Sequence, residues 1–147
     1  MPNTCPECGA ILNGGSTCQT IFEALLVLEF TDSGYGEVHM LTVACFMIQH
    51  GRYSDEALVW IEQKLRDNLG GVPASTIRRQ AGKETGQHTR TWKVTRRPGA
   101  RRLPTVAWSM TIADVAANYQ DAKSYCQLVK QWAQVTLHEM EPLLPKP

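Results

Sequence analysis

The sequence predicts an all-α fold, a small bundle of four or five helices with one long basic loop. Apolar residues recur at helical spacing in several segments, and helix-capping residues bound these segments. Three of the five cysteines, Cys5, Cys8 and Cys18, lie before or at the start of the first predicted helix. At 147 residues, with 43% hydrophobic and 20% charged residues, the chain is expected to form a single globular domain over 1–147. The cysteine cluster predicts that a metal ion stabilises this bundle.

The two-residue gap between Cys5 and Cys8 allows both thiolates to face one cation. Gly9 follows directly and can adopt the positive φ that such a tight turn requires. Cys18 is a third candidate, and zinc is the cation that closed thiolate sites of this kind bind. A redox pair is the alternative interpretation, but such a pair usually begins a helix inside a βαβ pattern, which is absent here. An odd number of cysteines fits ligation in a reducing compartment, and a cytoplasmic protein is expected.

Helix geometry selects the fourth ligand. Ser16 with Gln19 has the form of a capping box, so the first helix is expected from about 17 to 30. The second helix is expected from about 37 to 49 or 50, after a turn. Antiparallel packing makes residues 1–50 a zinc-anchored helical hairpin.

In this hairpin Cys18 lies roughly 18 Å from the connecting turn, at ~1.5 Å per residue. His50 lies at roughly 20 Å, and His39 at only about 4 to 5 Å. Cys45 is an alternative fourth ligand, about 7 to 8 Å nearer the turn than His50. The preferred Zn²⁺ ligands are Cys5, Cys8, Cys18 and His50.

These motifs resemble an uncharacterised bacterial family, domain of unknown function 5946. Its members typically begin with CPxCG, open the second helix with a histidine and end that helix with a QHP-like motif. Gly51 departs from this pattern, since proline is common there. The resemblance implies no activity, because none is established for the family. The matching segments are Cys5-Pro-Glu-Cys8-Gly9-Ala10, Cys18 with Phe22 and Leu25-Leu26, His39 to His50, His88-Thr89 with Trp92, Thr111 to Val115 and Trp132-Ala133.

Two further helical segments have clear boundary signals. Ser54 is the expected N-cap of a helix that ends at Leu69, before two glycines. Thr111 and Asp114 form a second N-cap pair, which opens a C-terminal helical region over 111–141.

The segment between these helices, residues 72–105, is predicted to be an irregular basic loop punctuated by prolines, with a short helix near 75–80. Residues 78–102 contain nine Lys or Arg and one acid, a net charge of +8, while the rest of the chain carries −7. Such a charged segment attracts polyanions. An acidic protein or a nucleic acid is therefore the expected partner; the alternative is that the loop pairs with acidic helices of its own fold. The candidate contact residues are Arg96, Arg97, Arg101, Arg102 and Trp92, with the four arginines expected to be largely exposed.

A second constellation lies at the turn of the hairpin, where Glu29, Asp32 and His39 are expected to approach one another. A carboxylate beside an imidazole can act as an acid/base pair, or simply form a hydrogen bond. A weaker hypothesis is a metal-dependent helical-bundle enzyme of hydrolase or transferase type, whose metal ligands would be His39, His88 and His138. The favoured function is a zinc-binding, non-enzymatic binding or adaptor module, and an enzyme using Glu29 and His39 is the alternative. No apolar run is long enough to predict a membrane span.

Overall fold

The structure, a computed structural model, describes residues 3–85 and 92–146. Within these ranges the chain forms seven α-helices, a short 3-10 helix and one two-stranded antiparallel hairpin, which confirms the all-α prediction. No described helix is long and apolar enough to cross a membrane. The elements are β1 Asn3–Thr4, β2 Ile11–Leu12, α1 Cys18–Thr31, α2 Ser33–Gly36, α3 His39–Gln49, α4 Asp55–Leu69, α5 Ala74–Thr85, α6 Ile112–Asn118, α7 Ala122–Glu139 and the 3-10 helix Glu141–Leu143.

The centre of the fold is the packing of α3 against α7. Both helices also contact α4, and α1 closes the bundle against α2, α3 and α6. Trp132 and Tyr125 of α7 and Leu41 and Ile48 of α3 are fully buried in this core. Each such side chain stabilises the fold by roughly 1.5–3 kcal/mol relative to an exposed one.

The helix starts follow local capping chemistry. Ser54 caps α4 as predicted, because its hydroxyl accepts a hydrogen bond of 3.1 Å from the Ala57 amide. The prediction for α1 was wrong by one residue, since Thr17 rather than Ser16 is the N-cap. The Thr17 hydroxyl accepts from the Thr20 amide at 3.1 Å, and the Thr20 hydroxyl accepts from the Thr17 amide at 3.0 Å. A threonine in the third position of the helix thus completes the box.

Gly51 terminates α3 in a Schellman motif. Its φ is +65°, a left-handed conformation that glycine adopts without a steric penalty. The Gly51 amide donates to the Ile48 carbonyl at 3.2 Å, and the Arg52 amide donates to the Met47 carbonyl at 2.9 Å. A proline at this position has neither this φ nor an N–H, so glycine fixes the end of α3 and hence the position of His50.

The prediction of an irregular loop over 72–105 is wrong for its first part. Residues 74–85 form α5, which is longer than the short helix expected there. Within α5, Ile77 is fully buried, while Arg78 and Arg79 face solvent. The physical reason is that alanine, arginine, glutamine and lysine favour a helix, and burial of one isoleucine anchors it.

The C-terminal helical region over 111–141 is two helices rather than one. The predicted box at the start of α6 is confirmed, since Asp114 accepts from the Thr111 amide at 2.8 Å. The break follows from a second N-cap, Asp121, which accepts from the Ser124 amide at 2.8 Å and starts α7.

We call residues 95–108 the strap. They form no helix or strand beyond a single β-bridge between Thr95 and Tyr53. Backbone hydrogen bonds hold the beginning of the strap beside the start of α4: the Arg96 amide donates to the Arg52 carbonyl at 2.7 Å. Just before the strap, the Ser54 amide donates to the Val94 carbonyl at 2.9 Å. The strap therefore lies next to the end of α3.

Candidate metal centre

Cys5 and Cys8 lie in the turn that joins β1 to β2, and we call residues 3–12 the knuckle. The Cys5 amide donates to the Ala10 carbonyl at 2.8 Å, and the Gly9 amide donates to the Cys5 carbonyl at 2.9 Å. Gly9 has a φ of +81°, as its place after the CxxC motif predicts. The turn brings both thiols to the same buried side of the knuckle, facing α1 and α3.

Three separate elements bring four donor atoms together. The sulfur atoms of Cys5, Cys8 and Cys18 and a ring nitrogen of His50 all lie within 4.8 Å of one another. Cys8 Sγ is 3.6 Å from Cys18 Sγ, and Cys5 Sγ is 3.8 Å from His50 Nε2. In a tetrahedral site with metal–sulfur bonds of about 2.3 Å, the sulfur–sulfur edges are about 3.8 Å. The four residues therefore fit one tetrahedral ion, and among the described residues they form the one group of three or more donors able to do so.

The ring of His50 is oriented for this role. Its Nδ1 donates to the Phe46 carbonyl at 2.7 Å, which leaves Nε2 as the acceptor atom that faces Cys5. The Phe46 ring stacks on the imidazole with centroids 4.2 Å apart, and Phe22 stacks on the other face of Phe46 at 4.0 Å. Burial lowers the pKa of His50 and so favours the neutral, ligating form. A hydrogen bond from the second ring nitrogen is what orients metal-binding histidines in general.

Burial opposes ionisation of the three thiols, and for Cys8 and Cys18 it is the dominant effect. Burial raises the pKa of Cys8 to about 11 and raises that of Cys18 further. Burial also acts against ionisation of Cys5, but hydrogen bonds from the backbone amides of Cys8 and Glu7 outweigh it and lower its pKa. Ligation by the thiolates therefore has to release protons.

The alternative fourth donor, Cys45, is not in the cluster. It is fully buried in the core, where burial raises its pKa to about 12. His39 is also remote from the cluster, as its position near the start of α3 predicts. The structure brings only His50 of these three to the cysteines.

Residues 3–141 match the family described as "Family of unknown function (DUF5946)". The chain belongs to this family. The DUF5946 match extends from the knuckle to the 3-10 helix and so includes the whole four-residue cluster. No curated protein and no solved structure matches this DUF5946 chain.

A second polar cluster, which we call the Glu29 hub, lies near the end of α1. The Glu29 side chain has no exposed surface and accepts three hydrogen bonds, from His39 Nδ1 at 2.7 Å, Thr42 Oγ1 at 2.6 Å and Tyr125 Oη at 2.5 Å. Burial, together with the neighbouring Glu29 carboxylate, raises the pKa of Tyr125. The expected contact between Glu29 and His39 is present, whereas Asp32 accepts from the Gly34 amide at 2.9 Å and caps α2. The hub ties α1, α3 and α7 together.

The histidines of the enzyme alternative are not assembled in the described part of the chain. His39 lies against Glu29, with 37% of its side chain exposed. His138 lines a separate cleft with Glu62 and Arg66. His88 lies outside the described residues.

The arginines of the strap divide into two pairs. The expectation of large exposure is wrong for Arg96, whose side chain is 12% exposed and forms an ion pair with Asp55. Arg101 Nε lies 2.8 Å from the other oxygen of Asp55, and these bonds, from Arg101 and then Arg96, hold the pKa of Asp55 below its usual range. Arg97 and Arg102 are exposed and form no ion pair with a described residue. The charge that remains available on the strap therefore lies mainly on Arg97 and Arg102.

Trp92 is half-buried, and its ring packs against Trp60 at a centroid distance of 6.1 Å. It is therefore less open for stacking than its place beside the basic segment suggests. Sequence reasoning missed Asp55 as the partner of two arginines, and Thr42 and Tyr125 as partners of Glu29. Thr42 lies one helical turn after His39 on the same face, which is a local signal that could have found it.

Proposed function

We propose that this protein is a zinc-stabilised, non-enzymatic binding or adaptor module. The observation that carries the proposal is the meeting of four buried donors, three thiols and one imidazole, from three elements. Three thiolates and one imidazole in tetrahedral array are characteristic of structural zinc. The metal would be held by the knuckle, the first residue of α1 and the residue that caps α3.

Zinc would supply stability that the knuckle lacks. Its two strands have two residues each, and an isolated hairpin of that size is not stable in water. A tetrahedral ion would join it to α1 and α3, and in structural sites of this kind the free energy of binding the metal is free energy of folding. Loss of the ion is expected to unfold the knuckle.

The donor set argues for binding rather than catalysis. Four protein ligands leave no open coordination position for a substrate. We propose that the strap instead serves as the surface for an acidic partner, with Arg97 and Arg102 offering positive charge to it. Reduced, buried thiols suit a reducing compartment, which supports a cytoplasmic location.

The alternative is an enzyme that uses Glu29 and His39. The observation in its favour is that a buried carboxylate binds Nδ1 of a partly exposed histidine, an arrangement that orients a general base. Within the described residues, however, the cysteine cluster is the one site with enough donors for a metal, and Glu29 also serves Thr42 and Tyr125. The hub is therefore assigned a structural role.

The test is metal analysis of protein purified without chelators. We expect one zinc per chain, and complete loss of zinc in Cys8→Ser. The matched control is Cys126→Ser, since Cys126 is another buried cysteine but bonds to the Gly34 carbonyl outside the cluster. Absence of zinc from the natural protein, or equal zinc content in both variants, would refute the proposal.

A further inference from the structure

The strap and the knuckle enclose a cleft of about 470 Å³ beside the candidate metal centre. One wall contains Pro6 and Glu7, which lie between the first two cysteines, together with His50. The strap also lines the cleft, from residue 101 to 106 and at Trp108. We call this space the knuckle cleft. It is large enough for several side chains of an extended peptide.

The strap wall of the knuckle cleft is positively charged. Arg96, Arg101 and Arg102 line it, whereas Glu7 is the one acid among its lining residues. Arg101 is fixed in place, because it pairs with Asp55 and donates to the Leu143 carbonyl at 2.7 Å. Arg102 is exposed and has no ion-pair partner among the described residues. A carboxylate entering here meets the available guanidinium of Arg102, which is a good donor for it.

The same wall offers an unused backbone edge. Within the described chain, residues 102–108 neither donate nor accept a backbone–backbone hydrogen bond. Leu103, Val106 and Trp108 are only half-buried along this run. An extended peptide can satisfy such an edge with its own backbone while its alternate side chains enter pockets.

We infer that the knuckle cleft binds an extended acidic segment of a partner protein, with acidic and apolar residues alternating. A carboxylate would pair with Arg102, and the apolar side chains would pack on Leu103 and Trp108. The inference rests on the proposed function, since it places the acidic partner in one particular cleft along the strap. A protein segment fits better than a nucleic acid, because Asp55 already neutralises part of the arginine charge and the free edge is a backbone edge.

A second cleft, lined by the earlier part of the strap (residues 95–101), shares Arg96 and Arg101 with the knuckle cleft and supplies an internal comparison. It has a volume of about 580 Å³ and is lined by Arg97 but not by Arg102, together with the acids Asp55 and Glu56. Arg102 lines the knuckle cleft and not this one. The two exposed arginines therefore report on different clefts along the same strap.

The test uses a short fluorescein-labelled peptide of alternating glutamate and leucine, with fluorescence anisotropy at low salt. We expect saturable binding that Arg102→Glu weakens by about tenfold. Arg97→Glu is expected to stay within about twofold of the natural protein. Arg79→Glu, an exposed arginine of α5 outside both clefts, is the matched charge control and should also stay within about twofold. Glu7→Gln is expected to tighten binding by about two- to threefold, because it removes the acid from the cleft.

Every variant is checked for zinc content and helicity, and Arg102→Gln replaces Arg102→Glu if the reversal does not fold. If Arg97→Glu weakens binding as much as Arg102→Glu, the inference is wrong while the proposed acidic partner of the strap survives. If the peptide does not bind at low salt, both the inference and the proposed acidic partner of the strap are overturned. If single-stranded oligothymidylate binds more tightly than the peptide with the same dependence on Arg102, the occupant is not an acidic peptide and the inference falls.

Discussion

Glu29→Gln is expected to destabilise the fold far more than a typical substitution, although the two side chains have nearly the same shape. The carboxylate is wholly buried and all three of its hydrogen-bond partners are donors, from His39, Thr42 and Tyr125. An amide has one acceptor oxygen and one donor group. In its best orientation it keeps Thr42 and Tyr125 on the oxygen and turns its NH₂ group towards His39.

The magnitude follows from these contacts. A hydrogen bond to a charged group is worth roughly 1.5–3 kcal/mol and a neutral one roughly 0.5–1.5 kcal/mol. In the best orientation of the amide, its NH₂ group can donate to Nδ1 once the His39 ring carries its proton on Nε2, so all three bonds are weakened rather than lost, which gives a decrease of about 2–4 kcal/mol in the free energy of unfolding. Tyr125→Phe removes one donor and is expected to cost about 1.5–3 kcal/mol.

Urea denaturation, followed by circular dichroism, measures the free energy of unfolding of each variant. The slope of this free energy against urea concentration should be the same in the variants and the natural protein. The control is Glu23→Gln, an exposed glutamate of the same helix, for which we expect a change within about 0.5 kcal/mol. A change below about 1 kcal/mol for Glu29→Gln would show that the three hydrogen bonds of the hub do not hold α1, α3 and α7 together.

Three further predictions concern the metal centre and the strap. Gly51→Ala should reduce the free energy of unfolding by about 1–2 kcal/mol in urea denaturation, because its φ is left-handed, whereas Gly82→Ala in the open middle of α5 should raise it by up to about 1 kcal/mol. The ion pairs of Asp55 lower its pKa below the ordinary 3.8, so their contribution is full above that pH and is lost as the pH falls through the lowered value. Lowering the pH should therefore reduce the free energy of unfolding of the natural protein more than that of Asp55→Asn. Equal reductions in the two proteins would show that the ion pairs of Asp55 do not contribute to stability. His39→Ala should retain one zinc per chain by metal analysis while Cys8→Ser retains none; loss of zinc in both would contradict separate sites.

Local chemistry explains what could be predicted from sequence. The CxxC spacing followed by Gly9 predicts a tight turn. The two thiols and the glycine with positive φ all lie within five consecutive residues. The rise per residue of a helix is constant, so Cys18 and His50 could be placed level with each other before the tertiary packing was known. The hydroxyl of Ser54 caps α4 by accepting a hydrogen bond from the amide of Ala57, only three residues later. The turn and the cap are short-range relations, and the alignment of Cys18 with His50 needs only the added assumption that the two helices pack antiparallel.

The partners of buried and charged groups depended on the tertiary structure. Tyr125 reaches Glu29 across 96 positions of sequence, and Asp55 reaches Arg96 and Arg101 across more than 40. No local pattern marks either pairing, because the packing of α7 and the course of the strap bring these groups together. The charge count predicted a basic segment, but only the fold determined which arginines are neutralised by Asp55 and which still face solvent. The sequence by itself therefore determined the composition of the candidate metal centre and most of the helices, while long-range packing decided the hub, the knuckle cleft and the surface left for a partner.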